Sequence, residues 1–64
     1  MAFVVKLLNI DSASQPRWVI NMLGRGYGSR EEATVFPDRY AADEEAEAWK
    51  AMKQSVFSVV VEAA

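Results

Sequence analysis

This chain contains no cysteine and no histidine, so the commonest nucleophile and general-base pairs of enzymes are missing. Its chemistry would have to come from carboxylates. A pair of these can cleave a glycoside, but only within a cleft that holds the sugar, and 64 residues rarely enclose one. The acids here also fall on a helix expected to be exposed. The same absences exclude a disulfide and remove the usual zinc ligands, and no D-x-[DN]-x-[DN]-G calcium loop is present. No catalytic residue, metal or cofactor is expected, and the function is sought among binding roles.

Three clusters have a type and spacing that could recognise something. Gly24-Arg25-Gly26-Tyr27-Gly28 puts three glycines in five residues, which reads as a flexible loop or a turn with positive φ. It lacks the GK[ST] ending of a phosphate loop, and Glu31 and Glu32 would repel a phosphate at the turn that follows. Its Arg25 and Tyr27 are instead efficient anchors for a protein partner. Arg17, Arg25 and Arg30 have no acid between them and, with Trp18 and Tyr27, would make a nucleic-acid surface if they converged. The net charge of −2 argues against that footprint. Asp38 to Glu47 holds five acids against Arg39 alone. Glu44 and Glu47 then belong either to a solvated helix face or to a ridge that imitates phosphates and fills a basic groove on another protein.

These residues need elements to position them. Residues 2–10 are rich in Val, Leu, Ile and Phe and read as a first strand, apolar on both faces and therefore central. Residues 17–23 read as a second strand, antiparallel to the first across a short hairpin connection, with Trp18, Ile20 and Met22 on its core face; Trp18, at the start of the strand beside Arg17, is either a core residue or half exposed. Ser29-Arg30-Glu31-Glu32 matches a capping box and predicts a short helical turn. Thr34-Val35-Phe36 reads as a short edge strand stopped by Pro37. Asp43 to Lys53 is the clearest helix, with strong formers throughout, acids early and bases late, and Ala42, Ala46, Trp49, Met52 and Lys53 on one stripe. Residues 55–62 close the chain as a strand. The expected fold is one α+β domain over residues 1–64, of order β-β-(β)-α-β: a small antiparallel or mixed sheet of three or four strands, one helix on one face, and the last strand returning parallel beside the first.

This plan has a functional consequence. A helix of about 11 residues spans roughly 16 Å and covers one face of such a sheet, not both. With Phe3, Val5, Leu7, Trp18, Ile20, Met22, Phe57, Val59 and Val61 turned to Trp49 and Met52, the other face carries Val4, Leu8, Ile10, Val19, Leu23, Val56 and Val60. Exposed sheet faces are normally polar, and a contiguous apolar patch on a small protein marks an interface. A domain of this size buries only about 60% of its unfolded surface, so covering that patch would also stabilise it. The expected interface residues are therefore Val4, Leu8, Val19, Val56 and Val60 on the sheet, Arg25 and Tyr27 in the loop, and Glu44 and Glu47 on the helix. The alternative is a looser sheet whose second face is covered by the loops at 11–16 and 24–40.

The stretch Glu32-Ala33-Thr34-Val35-Phe36, followed by Ala42-Asp43-Glu44-Glu45-Ala46-Glu47-Ala48-Trp49, resembles a pattern of small phage and prophage proteins, in which a hairpin precedes an EA-x-x-F segment, an acidic Ala-rich helix and a closing strand. The resemblance spans residues 17–62 and is architectural; six residues, with Pro37 and Tyr40 among them, separate Phe36 from the helix where the pattern has fewer. Some proteins of this kind are anti-CRISPR inhibitors of bacterial defence. The resemblance implies a cytoplasmic inhibitor that binds a host protein complex and blocks it sterically, and it assigns no site residue. A self-associating subunit that forms a homodimer through its sheet is the alternative, with nucleic-acid binding third. No apolar run reaches the roughly 18–20 residues of a membrane span, so no membrane partner is expected.

Overall fold

The computed structural model describes residues 1–10, 15–21, 24–52 and 57–64. Four strands, β1 (Phe3–Leu8), β2 (Arg17–Asn21), β3 (Arg25–Gly28) and β4 (Ser58–Ala63), form one antiparallel sheet of order β3-β2-β1-β4. A 3₁₀ turn (Arg30–Glu32) follows β3, and one helix, α1 (Arg39–Met52), packs on the sheet. The α+β class, the β1–β2 hairpin, the turn after Ser29 and the place of the last strand beside the first are as expected; no helix among the described residues is long and apolar enough to cross a membrane.

The last strand is antiparallel to β1, not parallel to it, and the reason lies in residues 34–36. Phe36 exchanges backbone bonds with Phe3 at 2.9 and 2.8 Å, while Thr34 donates its N–H to the Val19 carbonyl and accepts the Asn21 N–H on its hydroxyl. The segment therefore touches both β1 and β2. These two strands pair only at Lys6–Trp18 and Leu7–Arg17, and Thr34–Phe36 fills the gap where they part. It is not an edge strand but a wedge inside the sheet. Because its Phe3–Phe36 bridge is antiparallel, the wedge runs in the same direction as β4. The parallel relation that a helical crossover demands thus holds between the wedge and β4, which flank β1.

The helix begins four residues earlier than the expected Asp43. Pro37 stops the wedge, and the Asp38 carboxylate accepts the Ala41 N–H at 2.9 Å, an N-cap bond. One side of α1 then buries Ala42, Glu45, Ala46 and Trp49 against Val5, Leu7 and Val19, with Phe3, Phe36, Phe57, Val59 and Val61 packed around them. Trp49 is a core residue, as its stripe predicts. Met52 is not; it is 46% exposed, near the end of the helix. Lys53 and Met22 lie outside the described residues.

Residues opposite one another in the ladders share a face. With Leu7 across from Arg17 and Val59, the helix side carries Phe3, Val5, Leu7, Val19, Asn21, Arg25, Tyr27, Val59 and Val61, and the other side carries Val4, Lys6, Leu8, Trp18, Ile20, Ser58, Val60 and Glu62. The sense of β2 is the reverse of the expected one: Val19 enters the core, fully buried, and Trp18 and Ile20 face away from the helix. A one-residue change of register flips every side chain of a strand, and the pairing with β1 overrides the more apolar set.

Candidate interaction surface

Arg25–Gly28 is a strand, not a loop, and the expected positive φ falls on Gly24 alone. Gly24, at φ 153°, makes the entry that a side chain would strain. Beyond it, Gly26 and Gly28 sit across from Ile20 and Trp18, on the side away from the helix. A Cβ on Gly28 would stand 2.7 Å from Glu32 Oε1 and 2.8 Å from Ile20 Cδ1, so the missing side chain leaves room for the tips of Glu32, from the 3₁₀ turn, and Ile20, from β2. Glu32 in turn accepts the Ser29 N–H at 3.3 Å, half of the capping box that the sequence predicts.

Arg25 and Tyr27 consequently point to the helix side. Arg25 Nε donates to Glu45 Oε2 at 2.8 Å and its Nη2 to Oε1 at 3.3 Å. Glu45 is 6% exposed and also accepts Asn21 Nδ2 at 3.0 Å and Trp49 Nε1 at 2.9 Å. This pairing raises the Arg25 guanidinium further, chiefly through the hydrogen bond with Glu45 and then through its charge. The Tyr27 ring meets Trp49 edge-on at 6.2 Å, and Trp49 meets Phe57 at 6.1 Å. An open groove of about 570 Å³ lies alongside, lined by Arg25, Phe36, Ala41, Glu44, Glu45 and Glu47. Its floor holds a carboxylate already bound by three donors, so Glu45 is not free to act as a base. Among the described residues no cluster of carboxylates is placed to hold a metal.

The acidic helix face is solvated and partly neutralised. Glu44 and Glu47 are exposed; Glu47 lies 3.5 Å from Lys50, and Asp43 lies 3.7 Å from Arg39. Glu44 raises the exposed Tyr40 phenol by accepting its hydrogen bond and repelling a phenolate. Arg17, Arg25 and Arg30 do not converge: Arg25 is held on the helix side, while Arg30 reaches the opposite one.

That opposite side is the face no helix covers. Lys6 lies at its centre, with Trp18 directly across on β2, Val60 directly across on β4, and Leu8 two residues along. The Lys6 ammonium stands 5.7 Å from the centre of the Trp18 ring, and the Arg30 guanidinium, brought in by the turn, 5.9 Å. The indole N–H donates to Glu62 at 3.4 Å. Trp18 and Leu8 are half-buried and Val60 is 39% exposed. Of the expected sheet residues, Leu8 and Val60 are here and accessible. Val4 is on this face but only 1% exposed, Val19 is in the core, and Val56 lies outside the described residues. The surface is smaller and more mixed than a bare apolar sheet, because the turn after Gly28 covers part of it. Trp18 is half-buried, the exposure that Arg17 beside it at the start of the strand points to, although its side of β2 is the reverse of the expected one.

Compared with protein-family models, curated proteins and solved structures, the chain matches none.

Proposed function

We propose that this chain is a protein-binding module whose contact surface is the helix-free sheet face, with Trp18, Leu8 and Val60 gripping a partner around Lys6. The observation that carries the reading is Trp18 itself: a large aromatic left half-open on a sheet face, with Lys6 and Arg30 over its ring and Glu62 at its N–H. A ring already fixed by its neighbours loses little freedom on binding, and Trp and Arg are the side chains that most often carry binding energy. A ring of apolar groups around a single ammonium fits a partner with an acidic residue inside an apolar patch. The chain's net charge of −2 disfavours nucleic acid, whose binders carry a strongly basic footprint. The phage-protein resemblance gives this reading its specific form, steric blocking of a host protein complex.

Affinity capture from bacterial lysate tests it, using the native chain, Trp18→Ala, and the double charge reversal Glu44→Lys/Glu47→Lys, each confirmed folded by circular dichroism. The expected result is a reproducible protein complex, lost with Trp18→Ala and retained with the charge reversal. Loss on charge reversal alone would transfer the contact to the acidic helix and overturn the sheet-face assignment.

A further inference from the structure

The sheet ends in two unlike edges. β3 is short, contains two glycines and carries Arg25. β4 has six residues, SVVVEA, with a single charge and no proline, lysine or glycine, and so lacks the usual guards against pairing with another chain. Its core-facing side chains are also incompletely sheltered. Val59 and Val61 remain half-buried, whereas Leu7 and Val5, directly across from them on β1, are fully buried.

The direction of the free backbone groups follows from the ladder. Phe3 spends its N–H and C=O on Phe36, away from β4. In an antiparallel pair the bonding positions alternate, so Val4, Lys6 and Leu8 bond to Glu62, Val60 and Ser58. The Ala64 N–H, which bonds to the Ala2 carbonyl at 3.0 Å, has the same parity. Val59, Val61 and Ala63 therefore direct their N–H and C=O groups outward, three alternate positions centred on Val61.

We infer that two copies of this chain join through β4, antiparallel about a two-fold axis at Val61, into one continuous eight-stranded sheet. In this register Val61 meets the partner's Val61, and Val59 meets the partner's Ala63, forming about six backbone bonds and extending the apolar layer beneath the helices. On the other face Val60 lies across from the partner's Glu62. Moving the axis to Glu62 would set like charges directly opposite, which is destabilising; moving it to Val60 would leave only Val59 and Val61 exchanging bonds within the strands. The axis runs through the sheet, so both Trp18 faces lie on the same side and the dimer presents two of them. This pairing stands whether or not Trp18 binds a partner.

Sedimentation equilibrium of the full chain across the micromolar range tests the pairing, with three variants. Native chain is expected to move from 7.1 kDa toward twice that mass as concentration rises. Ala63→Pro removes an N–H that no bond among the described residues uses, and Val60→Glu faces the partner's Glu62 while lying across from its own Lys6. Each is expected to weaken the dimer about tenfold or more, with the circular dichroism of the dilute monomer unchanged. Val60→Lys, facing the same Glu62, is expected to hold the dimer at low salt. A native chain that stays at 7.1 kDa throughout, or a dimer indifferent to both Ala63→Pro and Val60→Glu, would overturn the inference. So would equal weakening by Val60→Glu and Val60→Lys with Ala63→Pro indifferent, which would place the contact on the sheet face.

Discussion

Each face of the sheet carries one tryptophan whose indole N–H donates to a glutamate, and the two pairs do opposite work. On the helix side Trp49 donates to Glu45 at 2.9 Å, and Asn21 and Arg25 occupy the rest of that carboxylate. On the other side Trp18 donates to Glu62 at 3.4 Å, with Lys6 and Arg30 over the ring. The donors and acceptors are the same; the difference is the access of water. Beneath the helix a carboxylate must have every lone pair met by the protein, so the Glu45 network fixes how α1 sits on β2 and β3. On the open face water can replace any bond, so the Glu62 pair orients a side chain without being essential to the fold.

The sharpest way to break this comparison is to remove the buried acceptor. Glu45→Ala leaves the Trp49 N–H without its acceptor in a thin core and frees the exposed Arg25 and Asn21 side chains at its rim. The expected loss is about 2–3 kcal/mol, read by urea unfolding, a large fraction of the stability of so small a domain. Glu45→Gln keeps the shape and one acceptor and should lose less, about 1–1.5 kcal/mol. If Glu45→Ala unfolds at the native urea midpoint, the buried network is not what holds the helix.

A second test compares the two indoles directly. Acrylamide should quench the fluorescence of Trp18 and leave Trp49 dark to it, so Trp18→Phe should remove most of the quenchable emission and Trp49→Phe little of it. Equal quenching of the two single-tryptophan variants would erase the distinction between a dry face and a wet one.

The outlines of this fold can be read from the sequence because they follow from runs of similar residues: Phe3–Leu8 and Ser58–Glu62 as strands, the Ala- and Glu-rich stretch as the helix. What escapes is whatever depends on a single partner far along the chain. Asp38 has the type and place of an N-cap after Pro37, a local signal that could have been found. Glu45 does carry a local signal: three residues after Ala42 and four before Trp49, it falls within the apolar stripe, whereas Glu44 and Glu47 fall opposite it; what the stripe does not show is that Arg25 and Asn21 arrive from other strands to meet its carboxylate. The face of β2 was misjudged because Trp18, Ile20 and Met22 form the more apolar set, while the choice is made by register with β1 and by Val19 fitting beneath the helix. The glycines of β3 suggest a loop until their places across from Trp18 and Ile20 are known, where the missing side chain of Gly28 makes room for the tips of Glu32 and Ile20.

The smallest expected effect is also the most diagnostic. Glu62→Gln retains an acceptor for the Trp18 N–H and removes a charge near Lys6 and Arg30. A surface ion pair or a long, hydrated hydrogen bond contributes little net stability, so the urea midpoint should correspond to a change within about 0.5 kcal/mol. The change should shrink further at high salt, where exposed charges are screened. The contrast with Glu45→Gln makes the measurement informative, because the chemical substitution is the same at both sites and only its surroundings differ. Were Glu62→Gln to cost as much as Glu45→Gln, the open face would have to be as dry as the covered one. Something must then lie over it, and the concentration dependence of that cost would show whether it is a second copy of the chain.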